Sequence, residues 1–393
     1  MTFYERKYSE MTKRWRAQGG RTKKDREHIP LGQMAFALMS LFSLALVIRN
    51  SDAAIKYMGE GLRLCALTVI PSLFPFMVIS DLVVRSGAVS VIGKRLRAPM
   101  RVLFGIGGDG GCAVLLGFLC GFPVGARAAV SMYERGSLSR SELERVLTFS
   151  NIPSSAFIIN AVGISLFGSR AFGVALYTAI LLSALLTGIL QNILFKRKNK
   201  STDAEKLPYN SLKSEDRQSF GMGDLTASVS DSAIGILKVC AFVVFFNALV
   251  GTLGAACEGL SLSAEARAIA FGLFELTGGI SAAAALPSPH SAAILAALIS
   301  GWSGLSVHFQ IMSLCPDGEI SFKPYFAAKL FQGFLCAALV SLYCRLAAPD
   351  LTLRADGISA YAAQGVIPAL ALPICFIFCA AVLKKMLKKK DRR

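Results

Sequence analysis

The stretch GFLCGFPVGARAAV, from Gly117 to Val130, lies inside a long apolar segment. A helix crossing lipid must satisfy every backbone N–H and C=O internally, so a glycine- and proline-bearing break at mid-length survives only where it is packed in protein or lines a watery cavity. Gly121, Pro123 and Gly125 form such a break. Segment 112–133 is therefore expected to enter the membrane and return as a hairpin with its tip at Gly121–Gly125.

Outward from that hairpin, apolar runs of about 20 residues, the length that covers a hydrocarbon core, recur along the whole chain. They fall at 30–48, 64–84, 112–133, 146–168, 171–195, 239–257, 262–286, 291–314, 325–347 and 366–383. With 393 residues, 54% hydrophobic content, 17% charged content and a mean hydropathy of +0.54, the pattern is that of an all-α polytopic membrane protein. The first run follows a basic tail too long for a signal-peptide n-region and lacks a cleavage site, so a retained first span is expected.

The net charge of +17 is concentrated between the apolar runs. Residues 1–28 carry nine Lys/Arg, 196–217 seven and 384–393 seven. Such clusters mark cytoplasmic segments, and no recognition motif or aromatic platform for nucleic acid accompanies them. The expected divisions are a basic tail at 1–28, a first membrane half at 29–195, a polar linker at 196–225, a second half at 226–383 and a basic tail at 384–393. Placing both tails and the linker on one side requires an even number of crossings per half. One of the five runs in each half must then be re-entrant.

The glycine-broken runs are the candidates: 112–133, and 262–286 with FELTGG at Phe274–Gly279. About eight transmembrane helices plus two re-entrant hairpins result, with ten full spans and an external linker as the alternative. Three crossings separate the hairpins, so they approach from opposite faces, as in an inverted repeat. GFLCGFPVGARAA echoes GLFELTGGISAAA when Gly117 is placed on Gly272, and FSNIPSSAFII from Phe149 overlays WSGLSVHFQIM from Trp302.

Each hairpin precedes an interrupted span, 146–168 broken at Ser150–Ser155 and 291–314 broken within Gly301–Gln310. Hairpin tips and broken helices offer free backbone groups and helix-end dipoles that bind ions or charged solutes. The candidate substrate-binding residues are Gly121, Pro123, Gly125, Arg127, Ser150, Asn151, Ser154, Glu275, Thr277, Gly278, Ser306, His308 and Gln310. Glu275 is the most informative, because an ionisable group inside an apolar hairpin is expensive unless it faces a cavity or a partner. It could bind a cation, exchange a proton or hydrogen-bond a solute, or merely cap the broken hairpin. Arg127 is the corresponding cation, a partner for an anion or a snorkelling side chain. The opposing structural account is that small residues and proline serve helix packing.

Other chemistry finds little support. Ser139 and Glu142 form a capping box at the start of a helix. Most of the ten cysteines sit within or at the ends of apolar runs without a CxxC pair, and the three histidines lack metal-ligand spacing. No P-loop or Gly-x-Ser-x-Gly element occurs, so neither an enzyme nor an ATP-driven pump is expected. No cofactor or metal is expected, with Na+ or H+ open as coupling ions.

GSLSRSELERVLTFSNIPSSAFIINAVG, GLFELTGG and ISGWSGLSVHFQIMSL resemble the nucleoside-recognition or gate domain shared with concentrative nucleoside transporters. With PSLFPF at Pro71–Phe76, GFPVGA and GLSVHFQ, the chain from Gly61 to about Leu346 more closely resembles the YlbJ-type family of sporulation integral membrane proteins. The transporter resemblance implies substrate and Na+ binding at Gly121–Gly125, Ser150–Ser154, Glu275–Gly278 and Gly304–Gln310. At its first tip the chain departs from that pattern, carrying Phe122, Pro123 and Val124 where the transporters carry polar and acidic side chains. The closer resemblance implies a role in endospore formation, in the mother-cell-derived outer forespore membrane, moving dipicolinic acid. The expected partners are a small solute, the bilayer, and a second copy or other sporulation membrane proteins. The expected function is alternating-access transport of a small anion, against the alternatives of Na+- or H+-coupled nucleoside transport and a non-transporting scaffold.

Overall fold

A computed structural model describes residues 31–198, 221–256, 263–316, 318 and 320–347. The two basic tails, most of the linker and the apolar run 366–383 lie outside the described residues. Among the described residues the chain is helical, without a strand. Helix α1 (Leu31–Arg49) is a unit by itself, apolar along its length.

The second unit begins at Asn50. Its first helix, α2 (Ser51–Leu64), runs through a π-helical turn at Cys65–Val69 into α3 (Ile70–Arg85). Pro71 and Pro75 lack the N–H that the regular ladder needs, and just before them the ladder widens, Ile70 N–H donating to Cys65 O. Helix α4 (Ala88–Pro99) continues as a π-helical turn, Met100–Phe104, and the chain then bends by 85° into α5 (Gly108–Cys120). Next come α6 (Val124–Glu134), α7 (Arg140–Ser150), a π-helical segment at Phe157–Leu166, and α8 (Arg170–Lys198). The remaining helices are α9 (Met222–Ala256), α10 (Ala264–Phe274), α11 (Leu276–Ala284), α12 (Pro289–Trp302), α13 (Gly304–Leu314) and α14 (Lys323–Ala347).

Length and composition suit four described segments to crossing a membrane: Arg170–Leu194, Met222–Ala256, Pro289–Leu314 and Lys323–Leu346. The bent pair Val91–Phe104 and Gly108–Cys120 would add one more. The chain is thus an all-α polytopic membrane protein. Leu237 and Phe245 on α9 and Phe334 and Leu342 on α14 are all exposed. In water such faces would be an aggregation hazard; in a bilayer they meet acyl chains.

Both glycine-broken segments fold as pairs of packed helices. Segment 112–133 is the pair α5–α6, and 262–286 is the pair α10–α11. Each pair crosses at two glycines: a methyl added to Gly125 would collide with Gly117, and one added to Gly279 would collide with Gly272. In both pairs the orphan carbonyl one residue after the first glycine is capped by a large aromatic donor. Phe118 O accepts from Tyr177 Oη, and Leu273 O accepts from Trp302 Nε1 at 3.1 Å. Those carbonyls lie in the last turn of a helix and have no partner within it. The register that places Gly117 on Gly272 therefore marks a shared construction.

Both helix interruptions are also present, in different forms. Helix α7 starts with the expected capping box at Ser139 and Glu142 and stops at Ser150, giving an extended break over Asn151–Ser154. The second break is far shorter. Helix α12 stops at Trp302, and the chain turns through Ser303 (φ 78°) and Gly304 (φ 80°) directly into α13.

Candidate functional site

At the first tip, Gly121 ends α5 with φ 77° and ψ −172°, a conformation essentially confined to glycine. The Phe122–Pro123 peptide is cis, and Pro123 leads into α6. The tip rests on the first break. Phe122 N–H donates to Ile152 O at 2.9 Å, and a methyl added to Gly121 would collide with the backbone of Ser154. Asn151 Nδ2 donates to Leu147 O at 2.7 Å, closing the end of α7, while Ser154 Oγ accepts from Phe157 N–H at 3.2 Å and starts the next helix.

The second tip is a single extended residue, Glu275, between α10 and α11. Its carboxylate accepts from Gly278 N–H at 2.6 Å and caps α11. That is the charge an N-terminal helix end favours. This tip rests on the second break, where a methyl on Gly304 would press on the backbone of Glu275 and Leu276 at 3.1–3.2 Å.

Both tips, the first break and the helix that follows the second break line one cavity of about 110 Å³. Phe122 and Pro123 come from the first tip, Pro153 and Ser154 from the first break, Glu275 and Thr277 from the second tip. Ser306, Val307 and Gln310 come from the first turns of α13, and Val239 and Val243 of α9 form part of the apolar wall. The space holds several waters or one compact solute. Helices α6, α11 and α13 and the helical stretch after Ser154 all begin at or beside this lining, so their positive dipole ends gather there. Glu275 is the ionisable side chain among the lining residues.

Of the expected site residues, Pro123, Ser154, Glu275, Thr277, Ser306 and Gln310 line the cavity. Gly121, Gly125 and Gly278 shape the tips from behind. Ser150 is buried beside Gly117, and Asn151 secures the end of α7. His308 is buried elsewhere, its Nδ1 2.9 Å from Tyr325 Oη and its ring edge-on to Trp302 and Phe326. Gln310 Nε2 donates to Ser306 Oγ at 3.3 Å, joining two lining side chains.

Arg127 does not line the cavity. Its guanidinium packs over Gly235 of α9, in the field of Asp81 and Asp231. Arg85 bridges those same carboxylates at 2.6 Å each. Arg127 thus belongs to a four-member charge cluster joining α3, α6 and α9. Arg127→Ala is expected to lower stability by about 1–3 kcal/mol while leaving solute-induced stabilisation of the purified protein intact. A normal melting temperature with the solute response lost would return Arg127 to the site.

Sequence reasoning missed Lys329. It is wholly buried on α14, and Nζ donates to Asn151 O at 2.5 Å and to Gln332 Oε1 at 3.0 Å. The signal was present, since a lone ammonium within the apolar run 325–347 is as costly as Glu275 within its hairpin. Among the described residues no cluster of metal-ligating side chains occurs, and the described cysteines are free.

No protein-family model and no solved structure matches the chain. The chain is 28% identical over 340 residues to the "sporulation integral membrane protein YlbJ" of Bacillus subtilis (strain 168), covering 79% of this chain and 83% of that protein. That coverage takes in both halves with their hairpins and breaks, the elements that carried the sequence resemblance. The chain is thus similar, over most of its length, to a sporulation integral membrane protein.

Proposed function

We propose that this protein is a carrier for a small anionic metabolite, moved by alternating access through the cavity between the two hairpin tips. The observation that supports this reading is the convergence itself. Two tips, one helix break and the start of the helix beyond the other break share one solute-sized space, the arrangement that broken-helix carriers use near the midplane. An anion there is held by helix N-termini and by the donors of Ser154, Thr277, Ser306 and Gln310.

Within that class, dipicolinic acid is the substrate implied by the family resemblance. The relative's name speaks of sporulation, and we extend that setting to this chain, in the outer forespore membrane. The apolar wall of Val239, Val243 and Phe157 suits a flat ring, and the polar edge suits its carboxylates. A solute carboxylate beside Glu275 would place two like charges together in a dry site, which is relieved by sharing one proton. The solute therefore travels with H+.

The test is thermal stabilisation of the detergent-purified full chain by dipicolinate, other pyridine and aliphatic dicarboxylates, and nucleosides. The expected result is a rise of a few degrees with dipicolinate, larger at lower pH. Stabilisation by nucleosides alone would favour a nucleoside carrier. No response to any of these, together with normal sporulation of a Glu275→Gln strain, would favour a scaffold.

A further inference from the structure

Lys329 has no place in the cavity lining, yet its burial must be offset by something. A buried charge is costly unless paired and hydrogen-bonded, and among the described residues no carboxylate forms an ion pair with it. Its acceptors are neutral oxygens, Asn151 O and Gln332 Oε1. Asn151 O belongs to the end of α7, where the chain leaves the helix for the first break. Carbonyls at a helix C-terminus lack intrahelical donors and carry the negative end of the dipole.

Further oxygens are short of partners around the same break. Ser150 Oγ and Asn151 Oδ1 are buried without a hydrogen bond, as is Ser300 Oγ on α12. Helix α12 packs against α14 where Gly301 meets Gly333, the neighbour of Gln332. Oxygen-rich carbonyl ends of discontinuous helices are where carriers of this architecture hold a coupling Na+.

We infer that Lys329 is a resident cation, a tethered ammonium that fills at the first helix break the position a dissociable Na+ would otherwise take. The protein then needs no Na+ to hold that break together. Lys329 is a positioning residue: through Asn151 it fixes the segment whose other end, Pro153 and Ser154, lines the cavity. The inference holds for whatever solute the cavity takes.

The experiment compares melting temperatures of the purified full chain in sodium chloride and choline chloride at equal ionic strength, for wild type and for Lys329→Met. Wild type is expected to melt at the same temperature in both salts. Lys329→Met is expected to melt several degrees lower in choline and to regain part of that loss in sodium. A sodium-specific rise in wild type would overturn the inference, because the break would already hold an exchangeable ion. Equal melting of Lys329→Met in both salts would also overturn it. If Lys329→Met does not accumulate, the wild-type comparison decides: indifference to sodium supports the resident cation, and a sodium-specific shift refutes it.

Discussion

Glu275→Gln is expected to reduce solute movement in proteoliposomes at least tenfold while the purified protein stays folded. On the proposed carrier reading the carboxylate has two separable roles. As cap of α11 it needs only an oxygen acceptor for Gly278 N–H, which glutamine keeps. Exchanging a charged acceptor for a neutral one there costs about 1 kcal/mol. As the ionisable group at the cavity it needs the charge and the proton, which glutamine lacks. Glu275→Ala removes both, and should add a further capping loss of about 1 kcal/mol to the same transport defect. Normal transport by Glu275→Gln would leave the residue with capping alone.

Gly121→Ala is the second large effect, and here folding fails first. The backbone at Gly121 lies where a side chain costs about 1–3 kcal/mol, and the new methyl would strike the backbone of Ser154. The tip must lift from the first break, and with it one wall of the cavity. Gly136 supplies the control, since it too has a positive φ, 74°, but a methyl there meets open space. Gly136→Ala is therefore expected to cost about 1–2 kcal/mol and to leave the solute response unchanged. A comparable loss in both variants would remove the special role of tip docking.

The sequence located the tips and breaks well because each is a backbone event with a chemical signature. Glycine and proline at the middle of an apolar run contradict a crossing helix, and the expected hairpins 112–133 and 262–286 match α5–α6 and α10–α11 within a few residues. The form of the second break was less legible, since left-handed Ser303 is an unusual residue for that conformation. Side-chain direction was not legible at all. Arg127 and His308 stand next to tip and break in sequence, yet one turns toward Asp81 and Asp231 and the other into an aromatic cage. Lys329 is 178 residues from Asn151, so their contact emerges only when α14 packs against α7.

The central claim is that one cavity, bounded by both tips, opens to either side of the membrane in turn. It is tested most directly by Ser154→Cys, in a background where half-buried Cys120 and Cys240, and Cys257, Cys375 and Cys379 outside the described residues, are replaced by serine. The rate of labelling by a membrane-impermeant thiol reagent would be measured from each face of oriented vesicles. The account predicts labelling from both faces, slowed from both by dipicolinate and restored by washing it out. Labelling from one face only, unaffected by any dicarboxylate, would contradict it.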